Sequence, residues 1–138
     1  MKQLTRSELR KNIMTILYQI NVFDLNKIDY NVDDIIKDVN PIDNEFVKDI
    51  VYGVITKKDE LDNVANKYLN KWSIDRLGNT DQSILRIAIY ELLYTNTPDI
   101  VVINEAVELA KEYSDDDVKN MINGVLDKIY KNKVDKSE

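Results

Sequence analysis

The amino-acid sequence predicts an all-α protein, folded as a compact single-domain bundle of about seven helices. Apolar residues recur at spacings of three and four through most of the chain, and no segment alternates convincingly as a strand would. The composition agrees, with 43% hydrophobic and 32% charged residues but only three Gly and two Pro. A chain of 138 residues holds one hydrophobic core and is too short for two ordinary domains.

Local signals place each helix in order. Thr5 and Glu8 have the spacing of a capping box at the start of the first helix, and Pro41 with Asp43 mark the start of the third. Gly78 breaks the periodicity after the fourth, so Thr80 is predicted to cap the fifth. The predicted helices cover about 5–21, 32–39, 43–55, 60–70, 80–95, 101–113 and 116–131. Residues 1–131 then form the domain, and residues 132–138 form a polar C-terminal tail.

The fifth helix is predicted to lie at the centre of the bundle. Its sequence from residue 84 to 94, ILRIAIYELLY, is apolar around most of its circumference. The remaining strip consists of Gln82, Arg86, Tyr90 and Tyr94 at i, i+4 spacing. Two interpretations have equal weight: the strip is a structural ladder paired within the bundle, or it contacts water or a partner.

Several kinds of catalytic site are excluded by composition. Without His or Cys there is no Ser-His-Asp or Cys-His arrangement and no usual zinc site, and the three glycines are too scattered for a phosphate-binding loop. The acidic run 115–117 favours the start of the last helix over a hard-metal site, although a metal-dependent hydrolase remains the enzymatic alternative. We therefore expect no catalytic residues, no metal and no cofactor.

Nothing in the sequence predicts a membrane protein. There is no apolar run of 18 residues, and the N-terminus lacks the apolar region of a signal peptide. We therefore expect a cytoplasmic protein.

Charge is distributed unevenly along this acidic chain. Residues 1–12 carry a net charge of +3, whereas residues 13–66 carry −6 and residues 67–138 carry −3. Any binding of nucleic acid must therefore be local. Tyr18 and Lys11 are predicted on the side of the first helix that faces away from the core, and a cation beside an exposed aromatic is typical of single-stranded RNA recognition. The alternative is that Tyr18 packs against the segment around Phe23 and Leu25.

Three runs near the C-terminus carry a more specific signal. They read LGNTDQSILRIAIYELLY at 77–94, PDIVVINEAVELAKEY at 98–113 and DDDVKNMINGVLDKI at 115–129. Earlier segments agree more loosely, through the basic residues at 6–11, TILYQ at 15–19, FVKDIVYGV at 46–54 and KYLNKW at 67–72. In length and order the chain resembles the bacterial NusB transcription antitermination factor family.

The resemblance implies a non-enzymatic RNA-binding factor. Members pair with the ribosomal protein NusE and bind boxA-type RNA, and the antitermination complex with RNA polymerase then reads through terminators, notably in ribosomal RNA operons. A homodimer that hides the RNA-binding face is a compatible second arrangement. The alternative function is a NusB-like accessory RNA-binding domain related to RNA cytosine methyltransferases. The RNA-binding residues implied are Arg6, Arg10, Lys11, Tyr18, Asp117, Lys119 and Met121, and the partner-binding residues implied are Tyr68, Asp81 and Arg86.

The chain departs from the family pattern in two places, and one glycine of the last helix also needs an explanation. Ser7 and Glu8 interrupt the arginine-rich segment, which predicts low intrinsic RNA affinity. Met121 stands where an aromatic residue is common, so base stacking there is lost. Gly124 interrupts the last helix at a cost of about 1 kcal/mol relative to Ala, and close packing by another helix is the favoured explanation over close approach by RNA.

Overall fold

The protein is an all-α bundle of seven α-helices and one short 3₁₀-helix. The computed structural model describes the backbone of residues 3–137 and the side chains of residues 3–134, and contains no strand within that range. Lys2, part of the predicted basic cluster, and Glu138, the end of the predicted tail, lie outside the described residues. The helices are α1 (Arg6–Leu25), α2 (Val32–Val39), α3 (Glu45–Thr56), α4 (Lys58–Tyr68), α5 (Asn79–Tyr94), α6 (Asp99–Tyr113) and α7 (Asp116–Ser137), with the 3₁₀-helix at Ile74–Arg76.

The capping box predicted for α1 is confirmed. Thr5 Oγ1 accepts a hydrogen bond from the Glu8 amide at 3.1 Å, and Glu8 Oε1 accepts one from the Thr5 amide at 3.1 Å. The two bonds satisfy amides that the first turn of a helix leaves without partners.

The predicted cap of α5 is wrong, because Gly78 and not Thr80 is the N-cap residue. The Gln82 amide donates to the Gly78 carbonyl at 2.9 Å, and the Gln82 side chain reaches back to the Leu77 carbonyl at 2.9 Å. These two bonds start the helix earlier than the sequence pattern indicates.

Helix α5 occupies the centre of the bundle, as predicted. All of its residues from 82 to 92 are buried, and α1, α3, α4, α6 and α7 pack around it. The largest fully buried side chains of the core include Ile13, Ile50, Leu61, Leu85 and Leu126, each from a different helix. Burial of apolar surface from all these helices in one core is the main stabilising term of the fold.

The polar strip of α5 is a structural ladder rather than a contact surface. Arg86 donates to both oxygens of Asp62 on α4, at 2.8 and 3.0 Å, and the Tyr90 hydroxyl donates to Asp49 on α3 at 3.1 Å. Tyr94 donates in the same way to Glu60 on α4. The strip therefore pairs α5 with the two helices that cover it.

Gly53 allows α3 to approach α5 closely at this ladder. A Cβ atom at position 53 would collide with the phenol ring of Tyr90. Glycine is therefore required here by packing, since no larger residue leaves room for the ring.

Helix α7 continues to Ser137, beyond its predicted end at 131. The Lys133 ammonium binds the Leu92 carbonyl and both oxygens of Asp99, the latter at 3.1 and 3.2 Å. These contacts tie the last turns of α7 to the connection between α5 and α6. Within the described part of the chain, none of the helices has both the length and the apolar character needed to cross a membrane.

Candidate nucleic-acid interface

One face of α1 is turned to solvent and carries four polar or aromatic side chains. Ser7, Lys11, Thr15 and Tyr18 follow each other at spacings of four, four and three, and we call them the α1 stripe. The Tyr18 side chain is 42% exposed, and Lys11 lies about 10 Å before it along the helix axis. This exposure confirms the predicted position of Tyr18 away from the core. Phe23, the alternative packing partner, stacks on Tyr30 with ring centroids 5.8 Å apart.

Arg6 lies in the first turn of α1, outside the α1 stripe, and is exposed. Its guanidinium stacks on the ring of Phe46 from α3, with the carbon 3.9 Å from the ring centroid. This cation–π contact holds the side chain at the surface without neutralising its charge.

The prediction that Arg10 binds RNA is wrong, because the structure buries its side chain. Its guanidinium donates to both carboxylate oxygens of Glu91 on α5, at 2.9 and 2.8 Å, and the two side chains are only 3% and 1% exposed. Burial alone would lower the pKa of Arg10, but the hydrogen bond and charge of Glu91 raise it above its ordinary value. Arg10 is therefore a structural cation inside the bundle and does not offer its charge to RNA.

An acidic side of α6 faces the α1 stripe. Ser7 Oγ donates to Glu105 at 2.7 Å, and the Lys11 ammonium lies 2.9 Å from one carboxylate oxygen of Glu112 and donates to the other at 3.1 Å. The hydrogen bond to Glu112 raises the pKa of Lys11 above its ordinary value. The cation predicted to contact RNA is thus already paired within the protein.

A groove of about 920 Å³ opens between α4, the 3₁₀-helix, the start of α5 and the start of α7. We call it the α4–α7 groove. Its lining combines aromatic and aliphatic side chains with three cations, Lys71, Arg76 and Lys128, and two carboxylates, Asp81 and Asp117. The remaining lining residues are Tyr68, Leu69, Asn70, Trp72, Leu77, Gly78, Val118, Met121, Gly124 and Val125.

The α4–α7 groove brings together residues from both predicted binding sets. Tyr68 and Asp81, expected to contact a partner, and Asp117 and Met121, expected to contact RNA, all line it. Lys119 does not, and its ammonium lies 3.7 Å from Asp116.

The prediction that Arg86 contacts a partner is also wrong. Its side chain is buried in an ion pair with Asp62 and does not line the α4–α7 groove.

Trp72 is a candidate contact that the sequence interpretation missed. Its side chain is 55% exposed within the α4–α7 groove, an unusual degree of exposure for so large an apolar ring. It lies between α4 and α5, where the helical periodicity lapses. An aromatic residue in such a break is the signal that could have indicated it.

Gly124 does not serve close helix packing, so that prediction is wrong. A Cβ atom added there would meet nothing within 4 Å, because the residue faces the open α4–α7 groove. The bundle itself supplies no reason for a glycine in the middle of α7.

The acidic run 115–117 starts α7, as the sequence favoured. Asp115 Oδ1 accepts a hydrogen bond from the Val118 amide at 2.9 Å, as an N-terminal cap does. Among the residues that the structure describes, no group of three or more carboxylates is arranged to hold a metal ion.

Hydrogen bonds connect the N-terminus of α5 to α1 and to the residue that follows α6. Asn21, one turn after Tyr18, donates to Asn79 at 2.7 Å and to Gln82 at 3.2 Å. On the other side of the same turn, Ser114 donates to Asp81, which lines the groove. The first turn of α5 therefore lies between α1 and Asp81, which lines the α4–α7 groove.

Comparison with known proteins shows the family of this chain. Residues 7–131 match the model of the NusB family. The chain belongs to the NusB family. A NusB transcription antitermination protein from Staphylococcus aureus is 43% identical over 129 residues, which cover 93% of this chain and 100% of that protein.

Solved NusB structures share the fold. The T. maritima NusB structure superposes with a TM-score of 0.79 at 29% identity, covering 94% of this chain and 93% of that one. A structure of the antitermination factors NusB and NusE in complex with double-stranded RNA superposes with a TM-score of 0.74 at 30% identity, covering 91% and 96%.

Proposed function

We propose that this protein is a non-enzymatic transcription antitermination factor that binds boxA-type RNA together with the ribosomal protein NusE. The resulting complex supports read-through by RNA polymerase, notably in ribosomal RNA operons. Membership of the NusB family and the solved NusB–NusE–RNA complex support this proposal. The observation that carries it is the juxtaposition of an exposed basic and aromatic helix face with a large, aromatic-lined groove.

RNA is assigned to the α1 stripe. Tyr18 offers a ring on which an unpaired base can stack, and Lys11 on the same face can neutralise a phosphate. The exposed Arg6 adds a second cation in the first turn of α1. Asp117, Lys119 and Met121 at the start of α7 are assigned to RNA as well, on the resemblance to the NusB family. Arg10 is buried beneath this surface, where its ion pair with Glu91 holds α1 against α5.

NusE is assigned to the α4–α7 groove. Aromatic residues are enriched at the centres of protein interfaces, and Tyr68 and Trp72 supply them here. A tryptophan that is exposed in the free protein and buried in a complex is typical of the few residues that dominate affinity. Asp81 in the first turn of α5 adds a carboxylate that can fix the orientation of the partner.

The RNA assignment is tested by fluorescence anisotropy with labelled boxA-type single-stranded RNA in the presence of NusE. Loss of a stacked base costs about 1–3 kcal/mol, so Tyr18→Ala is expected to raise Kd roughly 5- to 150-fold. Tyr52→Ala is the matched control, because Tyr52 is a similarly exposed tyrosine on α3. Equal affinities for the wild-type protein and Tyr18→Ala would contradict the assignment.

The partner assignment is tested by calorimetry with purified NusE. Trp72→Ala is expected to weaken binding by about 2 kcal/mol or more, close to 30-fold in Kd. Asp81→Lys is expected to weaken it as well, with Ser114→Ala as its control, because that change removes the hydrogen bond to Asp81 but leaves the carboxylate. If neither Trp72→Ala nor Asp81→Lys changes the affinity, the partner binds elsewhere.

A further inference from the structure

The side of α6 that faces the α1 stripe carries three carboxylates. Glu105, Glu108 and Glu112 are spaced at i, i+3 and i+7, so they share one helix face. Together with Ser7 and Lys11 they line a smaller groove of about 280 Å³ between α1 and α6. Acidic side chains therefore border the face that α1 presents to solvent.

Two of these carboxylates, Glu105 and Glu112, accept hydrogen bonds from donors that α1 would offer to RNA. Glu105 accepts from Ser7 at 2.7 Å and also lies 3.9 Å from the Arg10 guanidinium. Glu112 holds the Lys11 ammonium at 2.9 Å. Glu108 forms no ion pair within the described residues, so its charge is open to solvent at the same groove.

A carboxylate and a phosphate compete for the same donors, because both are anionic oxygen acceptors. We propose that the acidic side of α6 is an internal competitor of RNA phosphates, an autoinhibitory contact that lowers the affinity of the α1 stripe for RNA. This inference rests on the proposed RNA-binding function of α1. RNA must displace Glu112 from Lys11 and approach Glu108 before a phosphate reaches the Lys11 ammonium.

The size of the effect follows from the exposure of the pair. Lys11 and Glu112 side chains are 44% and 48% exposed, and exposed ion pairs contribute little. Release of Lys11 by Glu112→Gln is expected to tighten RNA binding by no more than about 2- to 5-fold. Salt screens the exposed pair, so the gain is largest at low ionic strength.

The test is a double-mutant cycle on RNA affinity, with the full-length protein, NusE and labelled boxA-type RNA at low salt. The four proteins are the wild type, Glu112→Gln, Lys11→Met and the double variant. Glu112→Gln is expected to tighten binding in the wild-type background and to have no effect in the Lys11→Met background. Asp59→Asn is the matched control, because it removes one exposed acidic charge from α4, away from the α1 stripe.

Three results would overturn the competition. The first is no gain from Glu112→Gln, and the second is an equal gain in the Lys11→Met background. The third is an equal gain from Asp59→Asn, because a general change in net charge would then explain the effect. A separate measurement without RNA is the NMR titration of the Lys11 ammonium, whose pKa is expected to fall in Glu112→Gln.

The outcomes also separate this inference from the proposed function. If the wild-type protein binds RNA and Tyr18→Ala weakens binding, but Glu112→Gln does not tighten it, the competition fails and the proposed function stands. If neither the wild-type protein nor Glu112→Gln binds RNA with NusE present, both fail.

Discussion

Replacing Arg10 by Met is expected to destabilise the protein strongly. The change leaves the Glu91 carboxylate 1% exposed, without the two charge-assisted hydrogen bonds of 2.8 and 2.9 Å that it now accepts. Its remaining polar contact is the Thr97 hydroxyl at 3.4 Å. Removing one partner of a buried ion pair costs about 3–5 kcal/mol, a large part of the roughly 5–15 kcal/mol that stabilises an ordinary domain.

The assay is urea unfolding followed by circular dichroism, with Arg10→Met, Glu91→Leu and the double variant. Each single change is expected to lower the free energy of unfolding by about 3–5 kcal/mol, whereas the double variant loses far less than the sum of the two. Arg6→Met is the matched control. It removes an exposed arginine that stacks on the Phe46 ring, and a loss of no more than about 1 kcal/mol is expected.

A loss below about 1 kcal/mol for Arg10→Met would refute the buried pair. The reasoning would also fail if Arg10→Met stayed fully folded but lost RNA affinity as Tyr18→Ala does, because Arg10 would then contact RNA directly.

Three further predictions concern single side chains. Gly53→Ala is expected to lower the free energy of unfolding by about 1–3 kcal/mol in urea unfolding, because the added methyl group displaces the Tyr90 ring, and an unchanged midpoint would contradict this packing. Gly124→Ala is expected to stabilise the free protein by about 1 kcal/mol, measured as a higher Tm, since the methyl group enters the open groove; a lower Tm would show that the site is filled. Burial, then the hydrogen bond to Asp24, raises the pKa of Tyr30 to about 12 from 10.0, so the folded state keeps this proton more tightly than the unfolded chain does. Stability from Tyr30 is therefore present below pH 10 and lost as pH rises towards about 12, and Tyr30→Phe should flatten the fall in unfolding free energy over that range.

The helices could be predicted from sequence because their signals are local. Apolar spacing identified all seven, and the Thr5–Glu8 capping box lies within one turn. The cap of α5 could not be predicted in the same way. The Gln82 side chain donates to the Leu77 carbonyl, and the capping preference of Thr80 gives no sign of this contact.

The candidate site was harder to predict, because pairing partners come from distant parts of the chain. The cation predicted for RNA at position 10 is buried by Glu91, which lies 81 residues away in sequence. Arg86 is taken up by Asp62 for the same reason. Periodicity can place a side chain on the outer face of an isolated helix, as it did for Tyr18, but cannot show which helix covers that face.

We propose that RNA binds the α1 stripe in a complex with NusE. The most direct measurement is the Kd of boxA-type single-stranded RNA for wild-type protein and Tyr18→Ala, each with saturating NusE, compared with a scrambled RNA of equal length. We predict tight binding of the boxA-type RNA by the wild type, weaker binding of the scrambled RNA, and a roughly 5- to 150-fold loss for Tyr18→Ala. Equal affinity of wild type and variant, or of the two RNAs, would contradict the claim.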